Sequence, residues 1–140
     1  IKESIIQSAE PDLVGAWLIQ KLVYLFDARV SPVVWFSVQS SDNVGGLATG
    51  KAAFKPKIAN AYNAFASRVG DGVTDVSLTT VDAGGRPIVR ALLEGTEGRF
   101  AVEWFADGGQ GDWSGVPAPD GCNVAGSPYS TGYLRLMDCR

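Results

Sequence analysis

The sequence predicts an α+β fold in which a helix–strand–helix first half precedes an antiparallel β second half. Apolar residues recur at helical spacing as far as Val69, and a period of two begins after Gly72. Turn sequences then return about every ten to twelve residues, as in a meander or sandwich. Because the period changes at Gly70-Asp71-Gly72, we predict two parts, residues 1–70 and residues 71–140.

The first half is predicted to hold two helices and one buried strand. Asp12 to Ala28 is apolar around most of its circumference, which indicates a helix buried on most sides. Pro32 to Gln39 is a continuous apolar run, which is typical of a strand covered on both faces. The Gly-rich stretch from Ser40 to Ala53 indicates a loop. A second helix then opens at Lys55-Pro56 and ends at Gly70, which stands where a C′ glycine is expected.

The second half is predicted to be a set of strands joined by turns and one long loop. The predicted strands are Val76 to Thr80, Ile88 to Glu94, Phe100 to Ala106 and Thr131 to Met137. Asp107 to Ser127 is rich in Gly, Pro and Asp and is predicted to be loop. Within the third strand Glu103 alternates with Val102 and Trp104, so we expect its carboxylate to lie on a solvated face.

Charge and composition exclude several classes of function. The net charge is −3 and the basic residues are scattered, whereas nucleic acids and anionic membranes require clustered Lys and Arg. No apolar run approaches the roughly 18 residues of a membrane span. The chain has no histidine, which excludes Ser-His-Asp and Cys-His catalysis and histidine-ligated metals. We therefore predict no cofactor, no nucleic acid partner and no membrane span.

Three aspartates in the predicted loop Asp107 to Ser127 are candidates for binding a metal ion. Asp107, Asp112 and Asp120 carry the oxygen ligands that Ca²⁺ prefers, although the spacing of an EF-hand is absent. A surface turn explains the same residues, and we predict no metal site.

The two cysteines, Cys122 and Cys139, are predicted to form a disulfide. Two thiolates without histidine do not complete a tetrahedral metal site, and no CxxC redox motif is present. A disulfide that closes the loop between these two cysteines stabilises the fold by on the order of 3 kcal/mol in the chain-entropy model. A structural disulfide indicates an oxidising compartment, so we expect a secreted, extracellular or periplasmic protein.

Two tryptophans are candidates for ligand contact. Trp35 lies in the buried strand ahead of the Gly-rich loop, where it either fills the core or forms a flat platform. Trp113 lies in the Gly/Pro-rich loop, where it either touches a ligand or anchors the loop locally. Carboxylates are the only plausible catalytic groups, and the two candidates are Glu3 near the N-terminus and Glu103 in the third strand. The alternative for Glu3 is a terminal surface residue, and for Glu103 it is a solvated strand face.

Residues 3–66 carry spaced signals that resemble the end of the (β/α)₈ barrel in retaining glycoside hydrolases with a 4/7 carboxylate arrangement. The matching pieces are Glu3, the helix Asp12 to Ala28, the strand Val33 to Ser37, Gly46-Leu47, and the segment from Lys55-Pro56 to Phe65. The resemblance implies that Glu3 is the nucleophile, that Trp35 is a sugar platform, and that a β-sandwich follows the barrel end. Retaining hydrolysis needs a second carboxylate, and its strand has no counterpart here. The resemblance therefore implies a C-terminal piece that is not catalytic without a larger chain.

Three functional hypotheses remain open from the sequence. The first is the C-terminal part of a secreted hydrolase acting on a polysaccharide. The second is a non-catalytic extracellular assembly subunit, pilus-like or capsid-like, that self-associates through the helix Leu13 to Phe26. The third is a small carbohydrate-binding domain that uses Trp113.

Overall fold

Two helices pack on one face of a five-stranded antiparallel sheet, which confirms the predicted α+β class. The computed structural model describes residues 10–30, 39–40, 48–49 and 56–140. The helices are α1 (Pro11–Asp27) and α2 (Pro56–Val69). The strands of the sheet are β3 (Val73–Ala83), β4 (Arg86–Gly95), β5 (Gly98–Phe105), β6 (Tyr129–Ser130) and β7 (Leu134–Asp138), in the order β3-β4-β5-β7-β6. Two short segments, β1 (Gln39–Ser40) and β2 (Ala48–Thr49), pair in parallel.

Both helices begin and end where the sequence signals place them, within a residue or two. Pro11 stands in the first turn of α1, where the missing N–H of proline costs nothing. Gly70 follows α2 with φ +59°, and its N–H donates to the carbonyl of Ala66 at 3.1 Å. Glycine adopts this left-handed conformation without steric cost, which explains the sharp end of the helix. Neither described helix combines the length and apolar content that crossing a bilayer requires.

One hydrophobic core lies between the helices and the sheet. Phe65 of α2 meets Phe100 of β5 edge to face, with ring centroids 5.7 Å apart. The inward-facing strand residues are aligned across the sheet, with Val102 paired to Ala91 on one side and to Leu136 on the other. The same core takes in the buried residues Ala16, Leu18, Ile19, Leu22 and Val23 of α1. Apolar contacts therefore cross the boundary predicted near residue 70.

The opposite face of the sheet is covered by the loop that follows β5, and this overturns the expectation for Glu103. The carboxylate does point away from the helices, as the alternation predicts, but its side chain is 0% exposed. Val116 of the loop packs against Ile88 and Phe105 on that face. Alternation along a strand identifies which face a residue occupies, but it carries no information about a loop that later folds over that face.

The C-terminal segment differs from prediction at one point. The predicted strand Thr131 to Met137 begins only at Leu134, as β7, because residues 131–133 form the turn between β6 and β7. In that turn Thr131 Oγ1 accepts from the N–H groups of Tyr133 and Leu134 at 3.2 and 3.3 Å. This side chain competes with ladder pairing, as Ser and Thr commonly do. The predicted disulfide between Cys122 and Cys139 is present.

Candidate functional site

The sequence-predicted site residues fall into two groups in the structure. Glu3 and Trp35 lie outside the described residues, so their roles as nucleophile and platform stay predictions. Trp113 is described and is half-buried. Of these three residues, the structure therefore describes only Trp113.

Trp113 is held by protein groups on several sides. Its ring stacks on Phe105 with centroids 4.4 Å apart, and the Arg135 guanidinium carbon lies 4.9 Å from its centroid. Its indole N–H donates to the carbonyl of Thr131 at 2.7 Å. These contacts are those of a loop anchor, the alternative to ligand contact that the sequence left open.

A buried charge cluster holds the same loop against the sheet. Glu103 accepts from Nε of Arg90 on one oxygen and from Nε of Arg135, at 2.6 Å, on the other. The two guanidinium groups also donate to the loop carbonyls of Pro117 and Val116. Both oxygens of the Glu103 carboxylate accept charge-assisted hydrogen bonds, so the cluster has the character of a structural clamp.

The loop aspartates are engaged separately. Asp107 accepts two hydrogen bonds from Arg86, which lower the pKa of its carboxyl. Asp112 accepts from the N–H and the hydroxyl of Ser114, and these bonds lower its pKa. Among the described residues no three His, Cys, Asp or Glu side chains lie together as metal ligands would. The calcium alternative thus has no ligand cluster to support it in this part of the chain.

Among the described residues, a concave surface with convergent polar groups lies between α2 and the C-terminal segment, and we call it the α2 groove. It is wide open to solvent and has a volume of about 710 Å³. One wall is a stripe of exposed side chains along α2, formed by Lys57, Asn60, Asn63 and Ser67. Their spacing of three or four residues places them on one face of the helix.

The other wall of the α2 groove consists of Ser127, Pro128, Tyr129 and Ser130. Two elements fix this wall in place. The Cys122–Cys139 disulfide, flanked by a hydrogen bond from the Asn123 N–H to the Asp138 carbonyl at 2.9 Å, ties the segment that precedes the wall to the end of β7. The wall then continues into β6, which pairs with β7. Both walls are therefore carried by regular or cross-linked structure.

Tyr129 lies deepest in the groove wall. Its side chain is 9% exposed, and its hydroxyl has no hydrogen-bond partner in the described part of the chain. The hydroxyl sits close to Gly15 of α1, where an added Cβ would lie 2.9 Å from it. Burial, and secondly the negative charge of Asp12, raises the pKa of Tyr129 to about 12. The hydroxyl therefore remains protonated to higher pH than that of an ordinary tyrosine, and it is buried away from the groove surface.

The charged groups of the α2 groove are paired within the protein. Lys57 Nζ lies 3.2 Å from Asp12 Oδ2. Arg68 forms a two-pronged pair with Asp138, with Nε–Oδ1 at 2.8 Å and Nη2–Oδ2 at 3.1 Å. This pairing lowers the pKa of Asp138. Most of the residues lining the groove are thus polar by type, and their charges are close to balanced by partners.

The comparisons with known proteins add no relative from which a site could be transferred. Protein-family models, curated proteins and solved structures were searched, and none matches this chain. The site is therefore defined by its geometry and chemistry alone.

The groove residues were not singled out from the sequence, although a signal was present. Asn60, Asn63 and Ser67 occupy the polar side of a helix whose apolar residues predict its buried side. A polar helix side is usually a solvated surface, and only the fold brings a second polar wall opposite it.

Proposed function

We propose that this chain is a non-catalytic carbohydrate-binding module of a protein that works in an oxidising compartment. The observation that carries the proposal is the α2 groove, whose two walls present side-chain amides and hydroxyls across a shared concave surface. Such groups both donate and accept hydrogen bonds, as the hydroxyl groups of a sugar do. Binding sites are typically concave with a few convergent polar groups of this kind.

The absence of a catalytic pair along the described groove supports a binding role. Asp12 is the one carboxylate among the described lining residues, and it is paired with Lys57. Glycoside hydrolysis requires two carboxyl groups, about 5–5.5 Å apart in retaining enzymes. The proposal is compatible with the predicted hydrolase fragment, in which this module would accompany a catalytic part, and Glu3 as nucleophile stays a prediction.

The arrangement of α1 favours the binding module over an assembly subunit. Self-association through Leu13 to Phe26 would need an exposed apolar helix face. The face formed by Ala16, Ile19 and Val23 is instead 0% exposed, because α2 and the sheet cover it. An assembly contact would therefore have to use the remaining faces of the helix, where the half-buried residues are joined by Tyr24, which is 49% exposed.

A peptide is a less suitable occupant of the groove than a sugar chain. Extended peptides are commonly bound by strand addition to a long sheet edge, or by apolar pockets for alternate side chains. The edge strand beside the groove, β6, has two residues, and the groove is lined chiefly by polar side chains. Lateral hydrogen bonds to hydroxyl groups suit this surface better.

The proposed compartment follows from the disulfide. Stable structural disulfides persist in secreted, extracellular and periplasmic proteins, since cytosolic thiols are kept reduced. We expect the protein to be made with Cys122 and Cys139 oxidised and to bind its ligand in that form.

Affinity electrophoresis tests the proposal. Native gels cast with a panel of neutral soluble polysaccharides should retard the wild-type protein in at least one case. Asn60→Ala/Asn63→Ala removes two amides from the groove while placing a better helix former at both positions, so we expect loss of retardation without loss of stability.

Thr79→Ala is the matched control, because Thr79 is an exposed polar residue of β3 outside the groove. It should migrate as the wild type does in every gel. Unretarded wild-type protein across the panel, or equal retardation of the double variant, would refute the assignment of the groove.

A further inference from the structure

We infer that the α2 groove selects an extended, neutral oligosaccharide and discriminates against acidic ones. This inference rests on the proposed function and narrows the class of ligand. The inference rests on three features of the groove. Its charged groups are paired within the protein, and its polar groups form a row. It also offers hydrogen bonds without an exposed aromatic ring on which a sugar could stack.

The charges of the groove are already matched by partners within the protein. Lys57 is paired with Asp12, and Arg68 is paired with Asp138 through two hydrogen bonds. Sites for carboxylated or sulfated chains instead present unpaired cations that the ligand neutralises. An acidic sugar would have to compete with Asp12 and Asp138 for these cations, whereas a neutral sugar leaves both pairs in place.

The polar groups form a row rather than a cluster. From Lys57 to Ser67 the stripe on α2 extends about 15 Å at 1.5 Å per residue. Across the groove lie Ser127 and Ser130; the Ser127 hydroxyl donates to the carbonyl of Val124 at 2.9 Å and offers its oxygen as an acceptor. A row of this length fits several linked sugar rings in an extended chain better than a single ring.

The groove offers hydrogen bonds more than stacking. Tyr129 is the one aromatic side chain among its described lining residues, and it is 9% exposed. A few neutral hydrogen bonds of modest net strength give weak binding, with a Kd on the order of 1 mM for an oligosaccharide. Tighter attachment would then require a polymer that occupies several copies of the module.

Matched titrations followed by NMR test the inference. Neutral hexasaccharides of glucose, mannose or N-acetylglucosamine should bind with a Kd that changes less than twofold between 50 and 300 mM NaCl. Hexasaccharides of galacturonic acid should bind at least about tenfold more weakly. Tighter, salt-sensitive binding of the acidic chain would overturn the inference and leave the proposed function standing, whereas binding of neither kind would refute both.

Asp12→Asn provides a second, internal test. The substitution leaves Lys57 without its partner and so introduces an unpaired cation into the groove. We expect affinity for the acidic hexasaccharide to rise by about two- to fivefold, because a single solvent-exposed ion pair contributes little free energy. Affinity for the neutral chain should stay within twofold. An unchanged acidic affinity together with a lost neutral affinity would contradict the role assigned to the paired charges.

Discussion

Glu103 shows how strongly one residue can organise a loop without secondary structure. Its carboxylate links Arg90 and Arg135, and those arginines bind the carbonyls of Pro117 and Val116. Two guanidinium groups, one of them 1% exposed, depend on it for their countercharge. The path of the loop over the second face of the sheet therefore depends on this buried acid together with the contacts of Trp113 and Val116.

Glu103→Ala is expected to destabilise the fold by about 3–5 kcal/mol, because it leaves buried guanidinium charge without a partner. Chemical denaturation measures the loss. Glu94→Ala is the matched control, since Glu94 is an exposed strand glutamate whose pair with Arg99 spans 3.4 Å. It should cost less than about 1 kcal/mol. Equal effects of the two substitutions would show that the buried cluster does not clamp the loop.

Tyr129 makes the stability of the fold sensitive to alkali. Its pKa is raised to about 12 from the ordinary 10, so the folded state favours the neutral phenol. The resulting stability is complete below pH 10 and is lost as the pH rises from 10 to 12, by on the order of 2 kcal/mol.

Tyr129→Phe should abolish that loss, and at pH 7 it should be neutral or stabilising by about 1 kcal/mol, because it removes a buried hydroxyl without a partner. Denaturation midpoints measured at pH 7, 10 and 11.5 test this. A variant whose midpoint falls with pH as steeply as that of the wild type would contradict it.

At the scale of elements, the close packing of α1 on α2 depends on Gly15. A Cβ added there would lie 2.9 Å from the Tyr129 hydroxyl and 3.0 Å from the Cβ of Ala61. Glycine inside a helix normally costs about 1 kcal/mol relative to alanine. Its presence here is explained by the approach of a second helix and of the groove wall.

Gly15→Ala is consequently expected to destabilise the protein by about 1–3 kcal/mol despite its better helix propensity. Combining it with Tyr129→Phe removes one of the two close contacts, so part of the loss should be recovered. A double-mutant cycle by denaturation measures the coupling between the two positions. Additive effects, or a stabilising Gly15→Ala, would show that the helix and the groove wall are not in contact through this pair.

At the scale of the whole molecule, the sequence predicted the described helices and strands, but it did not predict which segments pack against them. Periodicity predicted both described helices and the meander, because these depend on spacing within short segments. The disulfide was predicted because the two cysteines have neither histidine partners for a metal site nor a CxxC motif. Periodicity placed Glu103 on a solvated face, because the covering loop lies more than ten residues further along the chain. Trp113 was ambiguous for the same reason, since its partners come from Phe105, Thr131 and Arg135.

The α2 groove is the feature that local pattern could least reveal. Its walls come from the first turn of α1, from α2 and from residues 127–130, which only the tertiary fold brings together. No single one of these segments carries a motif. The polar stripe on α2 becomes a candidate site only because the fold places residues 127–130 opposite it.

The most direct test of the groove as the binding site is a chemical-shift map of the ¹⁵N-labelled protein with a neutral hexasaccharide. The side-chain amide signals of Asn60 and Asn63 report on the groove, and the indole N–H of Trp113 reports on the loop. We predict that the two amides and the backbone N–H signals of Ser127, Tyr129 and Ser130 shift together in a saturable manner, while the Trp113 indole signal stays in place. Shifts centred on Trp113, with the groove signals unmoved, would contradict the account.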